Sequence, residues 1–238
     1  MSSHRIPYHP QPHALGHVYE DSELTIFFGD SRSGKQPLGL DFPDYRMMIM
    51  RQVHSDIVVR SPFGEPAPEA DAQFTSEKKV ALCVRTADCM PVLLYDKDSG
   101  IIAGIHAGWR GIENEIILKT AYTMKGAGAT FRSARAWIGP HIMTESFEVG
   151  KDVAAKLESR FEAVRGYSHE TSSLRPHDDA SKSRVDLLTI ARAQLGSIGV
   201  ESDRLVELPI DTFTSAAHES FRRGKDKSSR QYSFIALK

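Results

Sequence analysis

Short apolar runs dominate the first half of the chain, and their spacing predicts β-strands. Residues 23–30, 45–54 and 79–86 are rich in apolar, aromatic and β-branched side chains, which favour strands. The runs MPVLLYD (90–96) and GIIAGIHAG (100–108) flank the segment KDSG, in which glycine supplies the conformational freedom that a tight turn needs. We therefore predict an antiparallel hairpin over residues 90–108.

In the second half, apolar residues recur every three or four positions, a period that predicts helices over residues 111–128, 150–166 and 185–200. Gly126 and Gly166 are expected to end the first two helices, and Asp186 to cap the start of the third. The polar segment 167–184 is predicted to be a long surface loop, and QYSFIALK (231–238) to be a final strand.

This order of elements, with strands first and then helices mixed with strands, favours an α+β (mixed α/β) fold. We expect a single catalytic domain over residues 21–238. Residues 1–20 contain the His- and Pro-rich stretch HPQPHALGH and are expected to form a flexible N-terminus.

The composition is that of an ordinary globular chain, with 238 residues, 40% hydrophobic and 26% charged residues, and a net charge of −1. This balance gives no electrostatic argument for a nucleic-acid or membrane partner. The sequence contains neither a long apolar span nor a segment resembling a signal peptide, so we expect a soluble cytoplasmic protein. Two cysteines make a disulfide framework implausible.

Candidate chemistry lies at the open end of the predicted hairpin. Cys89 directly precedes its first strand and His106 ends its second, so the pairing would bring the two side chains together. His54, at the end of the run 45–54, could supply a third ligand. Three nitrogen and sulfur ligands with one open position are typical of catalytic zinc. The alternatives are a hydrogen-bonded structural histidine and a small buried cysteine; Cys83, inside a strand, is assigned to the core.

Six motifs occur in a fixed order from about Arg51 to Lys238: QVHSD, DAQFT, TADCMPVLLYD, IHAGWRG, IGPHI followed by FEVG, and SFRRGKDKSSRQYSFIAL. Together they resemble the laccase-domain proteins, also called the multicopper polyphenol oxidase or YfiH-type family. The resemblance implies a layered α-β-β-α domain with mixed sheets. It also implies that the metal ligands are His54, Cys89 and His106.

Two stretches depart from the family pattern. A glycine-rich GGVS-like loop is common near the N-terminus of the family, where this chain reads FFGDSRSGK, and a cysteine often precedes the YEV motif, where this chain has Ser146 and Phe147. Neither change affects the three metal ligands. The first change means that substrate contacts from the N-terminal loop do not carry over from the family, and the second that no role of a second cleft cysteine does.

The resemblance further implies a zinc-dependent purine nucleoside phosphorylase with adenosine deaminase activity, whose partners are a purine nucleoside and phosphate. Zinc lowers the pKa of a bound water to about 7, which suits hydrolytic deamination. Asp88 and Asp71 are candidates for the proton-transfer residue, or else residues of turns and of the surroundings of the metal. Arginine binds phosphate bidentately. The candidates for phosphate or substrate binding are Arg110, Arg222, Arg223, Arg230 and, more weakly, His141; solvated surface charge is the alternative for the arginines.

Three other functions remain open. Polyphenol oxidation by several coppers needs His-X-His pairs, and the ten histidines include none, although copper could occupy such a site adventitiously. An amidase that edits peptidoglycan precursors would use the same metal site on an amide bond. A zinc-stabilised binding module without turnover is the third alternative. The sequence leaves the oligomeric state and the preferred nucleoside open.

Overall fold

The computed structural model describes residues 11–224 and 228–238, which form fifteen strands and five α-helices. The strands are β1 (Gln11–His13), β2 (Gly16–Glu20), β3 (Leu24–Gly29), β4 (Arg46–Ile49), β5 (Val58–Arg60), β6 (Ala72–Thr75), β7 (Val80–Thr86), β8 (Met90–Asp96), β9 (Ile101–Ala107), β10 (Ala134–Ile138), β11 (Glu148–Gly150), β12 (Leu174–Arg175), β13 (Lys182–Val185), β14 (Leu205–Glu207) and β15 (Gln231–Leu237). The helices are α1 (Trp109–Glu113), α2 (Ile116–Gly126), α3 (Lys151–Val164), α4 (Leu187–Ser197) and α5 (Phe221–Gly224).

The first sheet has six strands in the order β1-β2-β3-β15-β7-β4. Its centre is the last strand of the chain, β15, which pairs antiparallel with both β3 and β7, as its apolar composition favours. β4 joins the edge of the sheet parallel to β7. The first and last described strands, β1 and β15, therefore lie in the same sheet as β7, the strand that precedes Cys89.

The second sheet, in the order β14-β10-β8-β9-β6-β5, contains the predicted hairpin. β8 and β9 pair antiparallel with Met90 opposite Ala107 and Pro91 opposite His106, which confirms the prediction. Every residue of both strands is buried. The hairpin is therefore a fixed scaffold, and its open end has a defined register.

The two sheets pack face to face and share a core built from Ile26, Phe28, Leu82, Val84, Leu93, Ile102 and Trp137 among others. The other face of the second sheet is covered by α2, α3 and α4. The outer face of the first sheet is covered by a 3₁₀ turn at Leu38–Leu40 and by Phe42 and Tyr45. Both sheets mix parallel and antiparallel pairs, which confirms the mixed α+β class.

Local sequence signals explain the helix ends. The Asp186 carboxylate accepts a hydrogen bond from the Thr189 backbone N–H (3.0 Å), which confirms the predicted cap of α4. α2 ends at Gly126, as predicted. The single helix predicted over residues 111–128 is wrong, because Glu115 adopts a left-handed conformation (φ 62°) and divides it into α1 and α2.

Other differences from the sequence-based expectations come from pairings between distant segments. Residues 11–20, expected to be flexible, form β1 and β2, and β2 pairs with β3 and buries Tyr19. The remainder of that N-terminal segment, residues 1–10, lies outside the described part of the chain. The predicted surface loop 167–184 contains most of β12 and β13, which form a third small sheet with β11. Short strands of this kind carry little periodic signal of their own.

The run 45–54 is strand only over β4, and the short strands β5 and β6 that follow were not predicted. The pairing of β4 with β7 ends at Ile49. The backbone N–H groups of Val53, His54 and Ser55 donate to the carboxylate of Asp71, which directly precedes β6 of the second sheet. His54 therefore lies in a loop and not at a strand end. Among the described residues, no helix is both long and apolar enough to cross a bilayer.

The close approach of the two sheets gives a test of the packing. A Cβ atom at Gly139, just after β10, would lie 2.3 Å from Phe28 Cδ1 and 2.9 Å from Pro91 Cγ. Because overpacking of a buried contact typically costs about 1–3 kcal/mol, Gly139→Ala should lower the free energy of unfolding by that amount in urea titrations. Gly126→Ala is the matched control, since nothing lies within 4 Å of its added Cβ, and it should not destabilise the protein. Equal stability of the two variants would contradict the described packing.

Candidate metal centre and cleft

His54, Cys89 and His106 come together at one point, although they lie on three separate segments. One potential ligand atom from each lies within 4.8 Å of those of the other two. His54 Nε2 lies 3.8 Å from Cys89 Sγ, and the two imidazole rings are 4.9 Å apart between centroids. The structure thus brings together the three side chains that the sequence singled out.

The hairpin and one loop position this His-Cys-His cluster. Cys89 precedes β8 and His106 is the penultimate residue of β9, so the register of the hairpin sets their separation. His54 reaches them from the loop between β4 and β5 with a left-handed backbone (φ 61°). A Cβ on Gly108 would lie 3.0 Å from Cys89 Sγ and 3.3 Å from His54 Cδ2. The absence of a side chain at Gly108 therefore lets the cluster close.

The fully buried carboxylate of Asp71 holds two of these residues in place. It accepts hydrogen bonds from His106 Nδ1 (2.7 Å) and from the backbone N–H of His54 (3.0 Å). It also accepts bonds from the backbone of Val53 and from both the backbone and the hydroxyl of Ser55. Because Nδ1 of His106 is engaged, Nε2 is the nitrogen left for the cluster. This is the usual way in which a carboxylate orients a metal-binding histidine.

The hydrogen bonds of Asp71 engage both of its carboxylate oxygens. Burial alone would raise the pKa of its carboxyl, but the bonds from His106 and Ser55 lower it to about 2. The side chain is not part of the wall of the cleft described below. Asp71 is therefore a positioning residue behind His106, and the prediction of a catalytic Asp71 is not supported by its surroundings.

The cluster is electrostatically suited to a metal cation. Burial would raise the pKa of the Cys89 thiol, but His106 and His54 lower it well below its ordinary value by charge and hydrogen bonding. A thiolate and two imidazoles form a donor set that binds zinc. Cys83 differs: it is fully buried in the first sheet, and burial raises its pKa to about 12, in line with the core position expected for it.

The cluster opens onto a cleft of about 840 Å³. Apolar side chains form much of its wall: Ile142, Phe147, Val153, Leu187, Trp109 and Phe221. Four arginines also line it: Arg85, Arg110, Arg222 and Arg230. A cavity with apolar walls, a few convergent polar groups and a potential metal centre is the form that small-molecule sites take.

Three of the arginines in the cleft wall were predicted from the sequence. The Arg110 guanidinium stacks over the ring of Trp109, 4.4 Å from its centroid, at the start of α1. Arg222 Nη1 donates to the Glu148 carbonyl (3.0 Å), so part of its capacity is used within the protein. Arg230 lines the cleft at the start of the segment leading into β15. Its backbone oxygen packs so closely on Gly34 that a Cβ there would lie 1.7 Å from it. The divergent N-terminal loop thus supports Arg230.

Two predicted substrate-binding residues lie elsewhere, and the structure corrects both assignments. Arg223 Nη1 donates to the carbonyls of Thr212, Phe213 and Ser215, so its guanidinium binds a loop and does not line the cleft. His141 is buried, its Nδ1 donates to the Gly139 carbonyl, and burial lowers its pKa. Both residues therefore have structural roles.

Asp88 lines the cleft, but its carboxylate is already used. Oδ1 accepts the Thr212 hydroxyl (2.7 Å) and Oδ2 accepts the Arg222 backbone N–H (2.7 Å). Its own backbone is left-handed (φ 81°), which sharpens the turn just before Cys89. Asp88 therefore connects the Cys89 turn to the segment carrying α5, and no free carboxylate oxygen marks it as the proton-transfer residue.

Sequence reasoning missed Gln52, Arg85 and the aromatic residue Phe221 in the wall of this cleft. Gln52 and Arg85 stand two and four positions from the proposed ligands His54 and Cys89, which is the only signal the sequence offered. Phe221 directly precedes Arg222 and Arg223 in the terminal motif, where the sequence signal was their charge.

Comparison with known proteins gives a consistent family. The family model described as "Multi-copper polyphenol oxidoreductase laccase" matches residues 31–238. A purine nucleoside phosphorylase of Bacteroides thetaiotaomicron is 37% identical over 171 residues, 70% of this chain and 60% of that protein. Purine nucleoside phosphorylase ORF3 of Streptomyces griseus is 33% identical over 215 residues, 89% of this chain and 81% of that protein. The match thus spans about 60% of the length of the first of these relatives.

Solved structures agree on the fold. The Bacillus licheniformis hypothetical protein YfiH superimposes with a TM-score of 0.81 at 20% identity, covering 96% of this chain and 99% of that chain. At that identity the likeness concerns the fold alone. It supports the arrangement of two mixed sheets and few helices described above.

The two cysteines give a matched test of the cluster. Cys89→Ala removes the only sulfur ligand of the cluster, and we expect bound zinc to fall from about one equivalent to near zero. Cys83→Ala removes an equally small thiol from the core and should leave the metal content unchanged. Elemental analysis of the purified variants measures this. A Cys89→Ala protein with the zinc content of the unaltered chain would refute the assignment.

The role of Asp71 has a separate test. Asp71→Asn replaces an acceptor oxygen with an N–H₂ group that faces hydrogen-bond donors, so His106 and the His54 loop should lose their orientation. We expect zinc affinity, measured by competition with a chromophoric chelator, to fall about 10- to 100-fold. Asp98→Asn, at a hairpin turn where the carboxylate accepts bonds from Thr130 and Ser133, is the control and should retain the original affinity. Equal affinities in the two variants would be evidence against the positioning role.

Proposed function

The chain belongs to the family described as multi-copper polyphenol oxidoreductase laccase, and we propose that it is a zinc-dependent purine nucleoside phosphorylase that also deaminates adenosine. Relatives named purine nucleoside phosphorylase, 33% and 37% identical to this chain, support the first activity. The observation that carries the proposal is the His-Cys-His cluster at one side of a cleft lined by aromatic and arginine side chains.

The donor set favours one zinc ion held by His54, Cys89 and His106. Two imidazoles and a thiolate are ligands that zinc accepts, and three protein ligands leave a position for a small molecule. When bound, zinc supplies Lewis acidity and lowers the pKa of water, the chemistry that deamination needs. Copper binds such donors as well and could replace zinc adventitiously.

The remaining walls of the cleft suit a nucleoside and phosphate. Trp109, Phe147 and Phe221 offer apolar surface against which a purine ring can pack. Arginines in the same cleft, Arg110 and Arg230 among them, provide donors for phosphate oxygens. Phosphorolysis would transfer the ribosyl carbon from the purine nitrogen to a phosphate oxygen, yielding free base and ribose 1-phosphate.

Polyphenol oxidation, which the family description names, is less well supported by the site. Within residues 11–224 and 228–238, His54, Cys89 and His106 form the only cluster of at least three potential metal ligands. A multicopper oxidase needs several coppers, with histidine pairs that this sequence lacks. The donors therefore favour a single-metal reaction.

The proposal is tested with the zinc-loaded full-length chain. With inosine and phosphate we expect hypoxanthine and ribose 1-phosphate in equal amounts, and with adenosine alone we expect inosine and ammonia. His106→Ala should lower both rates by more than about 100-fold, because it removes a ligand of the metal. Chromatography of the bases and an enzymatic ammonia assay measure the products.

The phosphate dependence distinguishes the alternatives. Release of base without phosphate would indicate hydrolysis and contradict a phosphorylase. Turnover of a peptidoglycan precursor, or of a phenol in the copper-loaded protein, with no reaction on nucleosides would support the rival functions and refute this one. A His106→Ala variant with unchanged activity would refute the dependence of the reaction on the metal.

A further inference from the structure

Arg85, at the end of β7, stands in the wall of the cleft with its backbone fixed on both sides. The Gln52 carboxamide accepts a hydrogen bond from the Arg85 N–H (2.8 Å) and donates one to the Arg85 carbonyl (2.7 Å). Gln52 lies two residues before His54. The segment that presents a proposed metal ligand therefore also determines where the Arg85 side chain begins.

The guanidinium of Arg85 has no partner within the described part of the chain. Its Nε is buried and makes no hydrogen bond, and the ion pairs of that part of the chain do not include it. A buried donor left unsatisfied is costly, and the cost is greater for a charged group. An arginine without a partner beside a cleft is explained by a ligand that offers acceptors to its terminal N–H groups.

The other charges of the cleft indicate the sign of that ligand. Among the residues that the structure describes, two carboxylates line it, and both are engaged: Asp88 accepts bonds from Thr212 and Arg222, and Glu148 pairs with Lys182 and His177. Arg110 lines the same cleft, and its guanidinium stacks on Trp109. In the described part of the cleft wall, positive charge therefore exceeds negative charge, and this excess attracts an anion.

We propose that Arg85 binds the inorganic phosphate that serves as co-substrate, with its planar guanidinium donating to two phosphate oxygens. This inference rests on the phosphorylase function proposed above and names a residue that sequence motifs did not indicate. Arginine suits the task because its rigid fork matches the spacing of phosphate oxygens, whereas lysine offers a point charge. The terminal Nη groups, which are not among the buried donors, are the ones that phosphate would contact.

The test measures phosphate binding directly and then kinetics. Isothermal titration of zinc-loaded protein with inorganic phosphate should give a Kd that rises about tenfold or more in Arg85→Gln, because charged hydrogen bonds are lost. Arg85→Lys should lie between the two. Arg46→Gln, an exposed arginine on β4 outside the cleft, is the matched control and should change Kd by less than about twofold. In steady-state assays the KM for phosphate should rise in Arg85→Gln while the KM for inosine is retained.

Zinc content and thermal unfolding of each variant establish that the comparison is made between folded, metal-loaded proteins. If Arg85→Gln fails to fold, Arg85→Lys carries the same comparison. An unchanged phosphate Kd in the folded variant would overturn the proposal. So would the absence of phosphate binding to the unaltered protein at about 10 mM phosphate.

The two proposals fail in different ways. Phosphate binding that depends on Arg85, without formation of ribose 1-phosphate, would refute the phosphorylase and support the anion site. Formation of ribose 1-phosphate with the same phosphate KM in Arg85→Gln and the unaltered chain would support the phosphorylase and refute the anion site at Arg85. Tighter, Arg85-dependent binding of adenosine 5′-monophosphate without binding of free phosphate would overturn the assignment of inorganic phosphate, because the anion would then belong to a nucleotide.

Discussion

The carboxylate of Asp71 is the contact on which the geometry of the site depends. It lies at the edge of the second sheet, where it joins the His54 loop to His106 on β9 through a set of short hydrogen bonds. A buried charge of this kind is tolerable only when its acceptors are satisfied, and here the donors are the residues that must be oriented. Burial and positioning are thus two consequences of the same interaction.

The sheets supply the rest of the geometry. The fully buried β8–β9 hairpin fixes Cys89 and His106 relative to each other. Arg85, one residue before the end of β7 in the first sheet, lines the same cleft. Gln52 connects the His54 loop to Arg85 in the same way that Asp71 connects it to His106. The loop at residues 52–55 therefore helps to position both the candidate metal centre and the candidate anion site. A cleft arranged in this way can bind a neutral ring and an anion next to a single cation.

Strong local signals explain what could be predicted from the sequence. The two apolar runs on either side of KDSG predicted the hairpin, and its pairing brings Cys89 and His106 together. Asp186 marked the start of α4 in the same local way. Long-range partners decided the rest. The sequence alone suggested Asp71 and Asp88 as acids available for catalysis, but hydrogen bonds engage both carboxylates. It also suggested Arg223 as a phosphate ligand, although four backbone carbonyls hold its guanidinium. The His- and Pro-rich composition of residues 11–20 gave no strand signal, and β1 and β2 form because β1 pairs with β2 and β2 pairs with β3.

The central claim is that two imidazoles and one thiolate hold a single metal ion at the side of the cleft. X-ray absorption at the zinc edge, on the full-length chain loaded with one equivalent of zinc, tests it most directly. The account predicts one sulfur neighbour at about 2.3 Å, two nitrogen neighbours at about 2.0–2.1 Å and one further light atom. A spectrum fitted by oxygen and nitrogen neighbours alone, with no sulfur, would contradict it.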